Sequence, residues 1–107
     1  MEIAVVPLIE PFRGALDELC RRFRVETLAL FGSVVTSEFD PEESDLDFVV
    51  RFQPMSPREH ADAYFGLLGE LESLFARKVD LVEEEAIENP YFRRSVESTR
   101  RTIYDAA

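Results

Sequence analysis

The alternation of three short strand-like segments with helical segments constrains the fold most. Residues 27–31 form a continuous apolar run that ends at a glycine, residues 45–52 alternate apolar and polar side chains, and residues 79–82 are apolar except for one acid. Apolar residues at helical spacing precede the first strand, separate the second from the third, and follow the third. This order predicts an α/β (α+β) fold in which a small mixed β-sheet is flanked by helices.

Helical spacing predicts helices over residues 11–23, 58–75 and 90–104. Ser56 followed by Pro57 is typical of a helix start and predicts where the second helix begins. The apolar stripe of that helix is predicted to consist of Ala61, Tyr64, Phe65, Leu68, Leu71 and Phe75. Because this long helix links the second and third strands, those strands can pair in parallel, whereas the direction of the first pair stays open.

Length and composition favour a single small domain. The 107 residues, of which 46% are hydrophobic, suffice for one core, so we expect one domain over residues 1–107. No apolar run approaches the ~20 residues of a membrane span, and the N-terminus lacks the pattern of a signal peptide. The single cysteine, Cys20, excludes an internal disulfide and fits a reducing compartment. A cytoplasmic location without membrane association is therefore expected.

The chain is strongly acidic, with 22 Asp and Glu against 12 Lys and Arg and a formal net charge of -10. Affinity for a phosphate backbone comes from clustered Lys and Arg, so this balance argues against direct nucleic-acid binding. It fits a metal site, a basic partner or simple solubility. Residues 38–43 are interpreted as a solvated acidic loop, but Asp45 and Asp47 differ because they lead directly into an apolar strand.

Three aspartates carry the chemical signal. Asp45 and Asp47 lie two apart on a predicted strand and so share a face, where their charges repel unless one is neutralised or a cation is bound. Mg²⁺ is typically held by one or two carboxylates together with substrate phosphates. Asp80 supplies a third carboxylate, enough to hold two ions in the arrangement used for phosphoryl or nucleotidyl transfer. Each aspartate alone is better explained as a surface or turn residue, and only the set favours a metal site.

The Gly32-Ser33 pair follows the first strand directly. A glycine at a strand end lets a ligand approach the backbone closely, and a serine that opens a helical turn can offer its hydroxyl and N–H groups to a phosphate. An ordinary strand-to-helix turn with Ser33 as N-cap explains the pair equally well when it is taken alone. Together with the three aspartates, the pair favours phosphate binding.

The segments LFGS at residues 30–33, SDLDFVV at residues 44–50 and VDLV at residues 79–82 resemble the signature of the polymerase-β-like nucleotidyltransferase superfamily. The short chain, its leading helix and the Asn89-Pro90 start of its last helix are most similar to the minimal nucleotidyltransferases, the MNT type. The resemblance extends from about residue 16 to residue 104. It implies a small mixed sheet flanked by helices, the nucleotidyltransferase-like fold.

The resemblance also implies an activity and a partner. Such domains bind a nucleoside triphosphate with two Mg²⁺ ions and transfer the nucleoside monophosphate, here AMP from ATP, to an acceptor hydroxyl. MNT antitoxins add AMP to a tyrosine of a HEPN-type ribonuclease toxin. By residue, Gly32 and Ser33 would hold the triphosphate, Asp45 and Asp47 would ligate both ions, and Asp80 would help to hold the catalytic ion and could activate the acceptor hydroxyl.

One segment departs from the MNT pattern. MNT sequences commonly carry an Arg-Gly pair shortly after the Gly-Ser pair, where this chain reads VVTSE at residues 34–38. Lys78 and Arg51 are candidates for the missing cation near the triphosphate, although an exposed strand-edge charge explains both more simply. The departure keeps an alternative function open. In that alternative the chain is an antitoxin that neutralises its toxin by contact, with little or no catalysis.

Overall fold

The structure, a computed structural model, describes residues 8–36 and 45–106. The predicted acidic loop at residues 38–43 lies outside the described residues. The regular elements are β1 Val25–Phe31, β2 Leu46–Phe52, β3 Val79–Glu83, β4 Arg101–Asp105, α1 Arg13–Arg22, α2 Pro57–Phe75 and α3 Pro90–Thr99. Short 3₁₀ helices at Glu10–Phe12, Gly32–Val35 and Glu84–Ala86 precede α1 and follow β1 and β3.

The strands form one mixed sheet in the order β3-β2-β1-β4. β2 and β3 are parallel, as the helical connection through α2 allows, and β1 is antiparallel to both β2 and β4. The small mixed sheet flanked by helices is therefore confirmed. No helix within the described residues is long and apolar enough to cross a membrane.

The last helix is shorter than the sequence predicts. α3 ends at Thr99, Arg100 adopts extended backbone, and Arg101–Asp105 forms a fourth strand. The predicted continuation of the helix to Tyr104 is wrong. Thr, Ile and Tyr favour strands, and β4 pairs with an edge of β1 that would otherwise lack a partner.

The start of α2 is confirmed, whereas its apolar stripe is only partly confirmed. Ser56 caps α2 in a capping box with Glu59, and Pro57 occupies its first turn. The buried residues of α2 are Ala63, Leu67, Leu71 and Phe75. Of the predicted stripe, Tyr64 and Leu68 are partly buried, and Ala61 and Phe65 are exposed. The face toward the sheet is thus rotated by about one residue, because the i, i+4 series from Ala63 meets the sheet.

The two faces of the sheet are packed differently. On one face, alternate residues of the strands pack against α1 and α2 in the larger apolar cluster, which includes Leu28, Leu46, Phe48, Val50 and Leu81. The opposite face carries a smaller cluster that consists of Ala29, Phe31, Val49, Ile87 and Val96, with Val82 packed against it. Since side chains alternate along a strand, the face with the smaller cluster also carries Asp47.

Candidate functional site

Asp47 lies at the centre of the predicted site because of its position in the sheet. In the register of β2, it pairs with Phe31, the last residue of β1, and with Asp80 on parallel β3. Asp45 immediately precedes β2. Sheet pairing therefore places the three predicted carboxylates at one end of two neighbouring strands, although Asp80 is far from the others in sequence.

The electrostatics of Asp47 show that negative charge is concentrated here. Burial, the charge of Asp80, a hydrogen bond with the Asp80 carboxyl and the charge of Asp45 together raise the pKa of Asp47 from 3.8 to about 6. Each of these effects disfavours the ionised form of Asp47. A cation beside these carboxylates would favour that form.

Gly32 directly follows β1 and lies against the Asp47 carboxylate. It has φ +78°, and a Cβ added to it would lie 2.6 Å from Oδ2 of Asp47. Any other residue would therefore be strained in its backbone and would crowd the central carboxylate. The turn continues through Ser33. The Ser33 carbonyl accepts two hydrogen bonds from Thr36, one from its backbone N–H at 3.0 Å and one from its side-chain hydroxyl at 3.1 Å.

The Gly32 turn has a second anchor that the sequence does not reveal. The backbone N–H of Gly32 donates a hydrogen bond to Oγ1 of Thr99, the last residue of α3, at 2.9 Å. The pattern places Thr99 in a helix but says nothing about a partner 67 residues away. Only the packing of α3 on the sheet creates this contact.

A pocket of about 340 Å³ opens beside Asp47 and Asp80. Its other lining residues are apolar or aromatic: Phe31, Tyr64, Leu68, Val79, Leu81, Val82 and Phe92. The Phe92 side chain is 39% exposed, and its ring meets that of Phe31 edge-on at 6.0 Å. In the described part of the chain, no Lys or Arg lines this pocket. The pocket thus combines two carboxylates with apolar and aromatic side chains on which a flat apolar group can rest.

The three carboxylates fit Mg²⁺ if phosphate oxygens of a bound nucleotide supply further ligands to the ion. Within residues 8–36 and 45–106, no three His, Cys, Asp or Glu side chains are already arranged as a metal site. Mg²⁺ does not need such an arrangement, because it usually takes one or two carboxylates and keeps its other positions for phosphate oxygens and water. The donor set supports this fit, since Asp47 on β2 lies beside Asp80 on β3 and Asp45 immediately precedes β2.

The two candidate cations differ in their surroundings. Arg51 lies four residues beyond Asp47 on β2, and its guanidinium contacts carboxylates of Glu26 at 3.9 Å, Glu84 at 3.7 Å and Glu85 at 3.4 Å. Three carboxylates thus already contact its guanidinium. The Lys78 carbonyl accepts a hydrogen bond from the N–H of Leu46 at 3.2 Å, which places Lys78 at the same end of the sheet as Asp45. A role for Lys78 stays a prediction.

Comparison with known proteins gives a match over most of the chain. Residues 13–103 match the family model described as the nucleotidyltransferase domain. A provisionally assigned protein adenylyltransferase of Methanocaldococcus jannaschii is 37% identical over 76 residues, which cover 71% of this chain and 74% of the relative.

Solved structures share the fold. A provisionally assigned minimal nucleotidyltransferase superposes with a TM-score of 0.63 at 29% identity, over 90% of this chain and 93% of the other. The MNT antitoxin complex with the tri-AMPylated HEPN toxin of Shewanella oneidensis contains a chain that superposes with a TM-score of 0.61. That match has 19% identity, covers 91% of this chain and 72% of the other, and shows a common fold.

Proposed function

The chain belongs to the nucleotidyltransferase domain family, and from this premise we propose that it is an Mg²⁺-dependent protein adenylyltransferase. It transfers AMP from ATP to a hydroxyl of a protein partner, so that a phosphoester bond to the α-phosphate forms and pyrophosphate leaves. The observation that supports this most is the position of Asp47, between Asp80 on β3 and the Gly32 turn at the end of β1. The site thus combines carboxylates for a metal with a turn against which a phosphate can lie.

In the proposed mechanism, Asp45 and Asp47 would hold two Mg²⁺ ions together with the phosphates, and Asp80 would help to hold one of them. The ions would supply positive charge that offsets the negative charge on the phosphates. Gly32 and Ser33 would hold the triphosphate in the turn after β1, which lies against Asp47 only because Gly32 has no side chain. Asp80 is exposed and can accept the proton of the acceptor hydroxyl.

We further propose that the protein partner is a HEPN-type toxin and that the chain acts as its antitoxin in the cytoplasm. The M. jannaschii relative is provisionally assigned as a protein adenylyltransferase, and the S. oneidensis structure holds an AMPylated toxin in complex with an MNT antitoxin. The net charge of -10 suits a basic protein surface and opposes contact with nucleic acid.

The labelled-transfer assay tests this function. The chain is incubated with Mg²⁺, ATP labelled on its α-phosphate and the HEPN-type toxin of the same organism. We expect label on the toxin with the wild type, and a loss of roughly a thousandfold in rate when Asp45→Asn is combined with Asp47→Asn. Asp62→Asn, at an exposed site on α2, is the matched control and retains transfer. Full transfer by the folded double variant would rule out the mechanism.

One observation favours the second function, neutralisation by contact alone. No basic side chain of the described residues lines the pocket beside Asp47, so the triphosphate would lack a direct cationic partner there. The same double variant separates the two functions. If it neutralises the toxin at a stoichiometric ratio without transfer, contact suffices. If it fails to neutralise while it still binds the toxin, transfer is the cause of neutralisation.

A further inference from the structure

The end of α3 holds the Gly32 turn through one side chain. The Thr99 hydroxyl accepts a hydrogen bond from the N–H of Gly32 at 2.9 Å and donates one to the carbonyl of Ser95 at 3.1 Å. Because a hydroxyl has one hydrogen, donation to Ser95 leaves its lone pairs to face Gly32. The contact is thus oriented by the helix that carries it.

The helix end that presents Thr99 is itself fixed. Val96 is fully buried in the smaller cluster of the sheet. The N–H of Arg100 bonds to the carbonyl of Val96 at 2.8 Å, and the Arg100 guanidinium bonds to Glu84 at 2.9 Å. A hydroxyl on such an anchored segment can define the position of the amide to which it bonds.

Gly32 is therefore restrained from two sides. The Asp47 carboxylate lies next to the position that a Cβ of Gly32 would take, and the Thr99 hydroxyl accepts a hydrogen bond from the Gly32 N–H. That N–H is already paired, so the first amide of the turn is not free to bind a phosphate. The contribution of Gly32 to the site is therefore its backbone conformation, with φ +78°, directly before Ser33.

We propose that Thr99 is a positioning residue for nucleotide binding. Its hydroxyl locks the Gly32 amide and so holds the Ser33 hydroxyl and the following backbone toward the triphosphate. Thr99 touches neither nucleotide nor acceptor. This inference rests on the proposed function, because it assigns the turn to the triphosphate of Mg-ATP.

The test compares two substitutions at Thr99 with one at its neighbour. Thr99→Val keeps the shape but leaves the Gly32 N–H without an acceptor, and Thr99→Ser restores the hydroxyl. Ser98→Ala is the matched control, because the Ser98 hydroxyl donates to the same Ser95 carbonyl at 2.9 Å and does not touch Gly32. The measurements are Mg-ATP binding by calorimetry, kcat and KM of transfer, and hydrogen exchange of the Gly32 amide, all well below the unfolding temperature.

We expect Thr99→Val to weaken Mg-ATP binding and to raise KM about tenfold, the effect of one unpaired backbone donor, while kcat changes by less than about threefold. Exchange of the Gly32 amide becomes faster. Thr99→Ser and Ser98→Ala stay close to the wild type in affinity, KM and exchange. A purely structural role would instead lower the unfolding temperature and leave affinity at low temperature unchanged.

Wild-type affinity in Thr99→Val, or equal weakening in Thr99→Ser, overturns the proposal. If the wild type itself does not bind Mg-ATP, both this role and the proposed function are contradicted. The exchange data then show only whether the contact between Thr99 and Gly32 exists. Faster exchange of the Gly32 amide in Thr99→Val means that the contact exists but serves no nucleotide.

Discussion

The two faces of the sheet differ in their apolar packing, and the proposed site lies on the face with the smaller cluster. The face toward α1 and α2 holds the larger cluster, in which Leu67 and Leu71 are fully buried. The face toward α3 has the smaller cluster and carries Asp47 beside Gly32. The difference teaches that a chain of this size can hold repelling carboxylates together when the opposite face supplies most of the apolar burial.

A first experiment measures that difference in free energy of unfolding. Leu71→Ala removes a fully buried side chain of the packed face and should cost about 3 kcal/mol. Val96→Ala on the α3 face removes less volume from a smaller cluster and should cost about 1 kcal/mol. Urea denaturation of both variants gives the two values. A cost at Val96 equal to that at Leu71 would contradict the division between the faces.

Gly32→Ala tests how tightly the chemical face is built. The positive φ and the contact with Oδ2 of Asp47 should together lower the free energy of unfolding by about 2 kcal/mol and strongly reduce transfer. Gly69→Ala is the matched control, because nothing lies within 4 Å of its added Cβ. Because Gly69 lies within α2, Gly69→Ala should raise the free energy of unfolding by about 0.5 kcal/mol. Similar changes in stability and transfer at Gly32 and Gly69 would contradict a special role of the Gly32 turn.

Asp47 should also make the free energy of unfolding depend on pH, with a smaller effect than the substitutions above. Unlike most aspartates, it should lower stability as pH rises. The pKa of Asp47 is higher in the folded chain, about 6, than its model value of 3.8. The folded state therefore binds this proton more tightly, so stability is highest below pH 4 for this group and falls as pH rises through 6. Because Asp47 is only partly buried, we expect a loss of about 1 kcal/mol.

The difference between the wild type and Asp47→Asn isolates this contribution from that of other acids. Glu84, for example, has its pKa lowered by a hydrogen bond from Arg100, and its effect has the opposite sign. We expect the variant to become the more stable of the two as pH rises from 4 to 6. A constant difference across that range would mean that the carboxylates do not interact as described.

The sequence predicts much of this comparison, but not all of it. Short apolar runs identify β1 and β3, alternation identifies β2, and the helical link predicts that β2 and β3 can be parallel. The fourth strand could not be predicted, because Phe92, Val96 and Ile103 also fit helical spacing. Residues 101–105 form a strand because they pair with the free edge of β1, which only the folded sheet reveals. Thr99 escapes prediction for a similar reason, since its bond to Gly32 depends on how α3 packs.

The most direct measurement is the thermal stability of the wild type and Asp47→Asn near neutral pH, each with and without Mg²⁺ and a non-hydrolysable ATP analogue. Without ligand, Asp47→Asn should unfold about 4 °C above the wild type, because charge repulsion is relieved. With ligand at about 100 times its Kd, the wild type should gain about 2.7 kcal/mol and the variant much less, so that the order reverses. Equal stabilities without ligand together with equal gains would contradict the account that Asp47 destabilises the fold in order to bind metal and nucleotide.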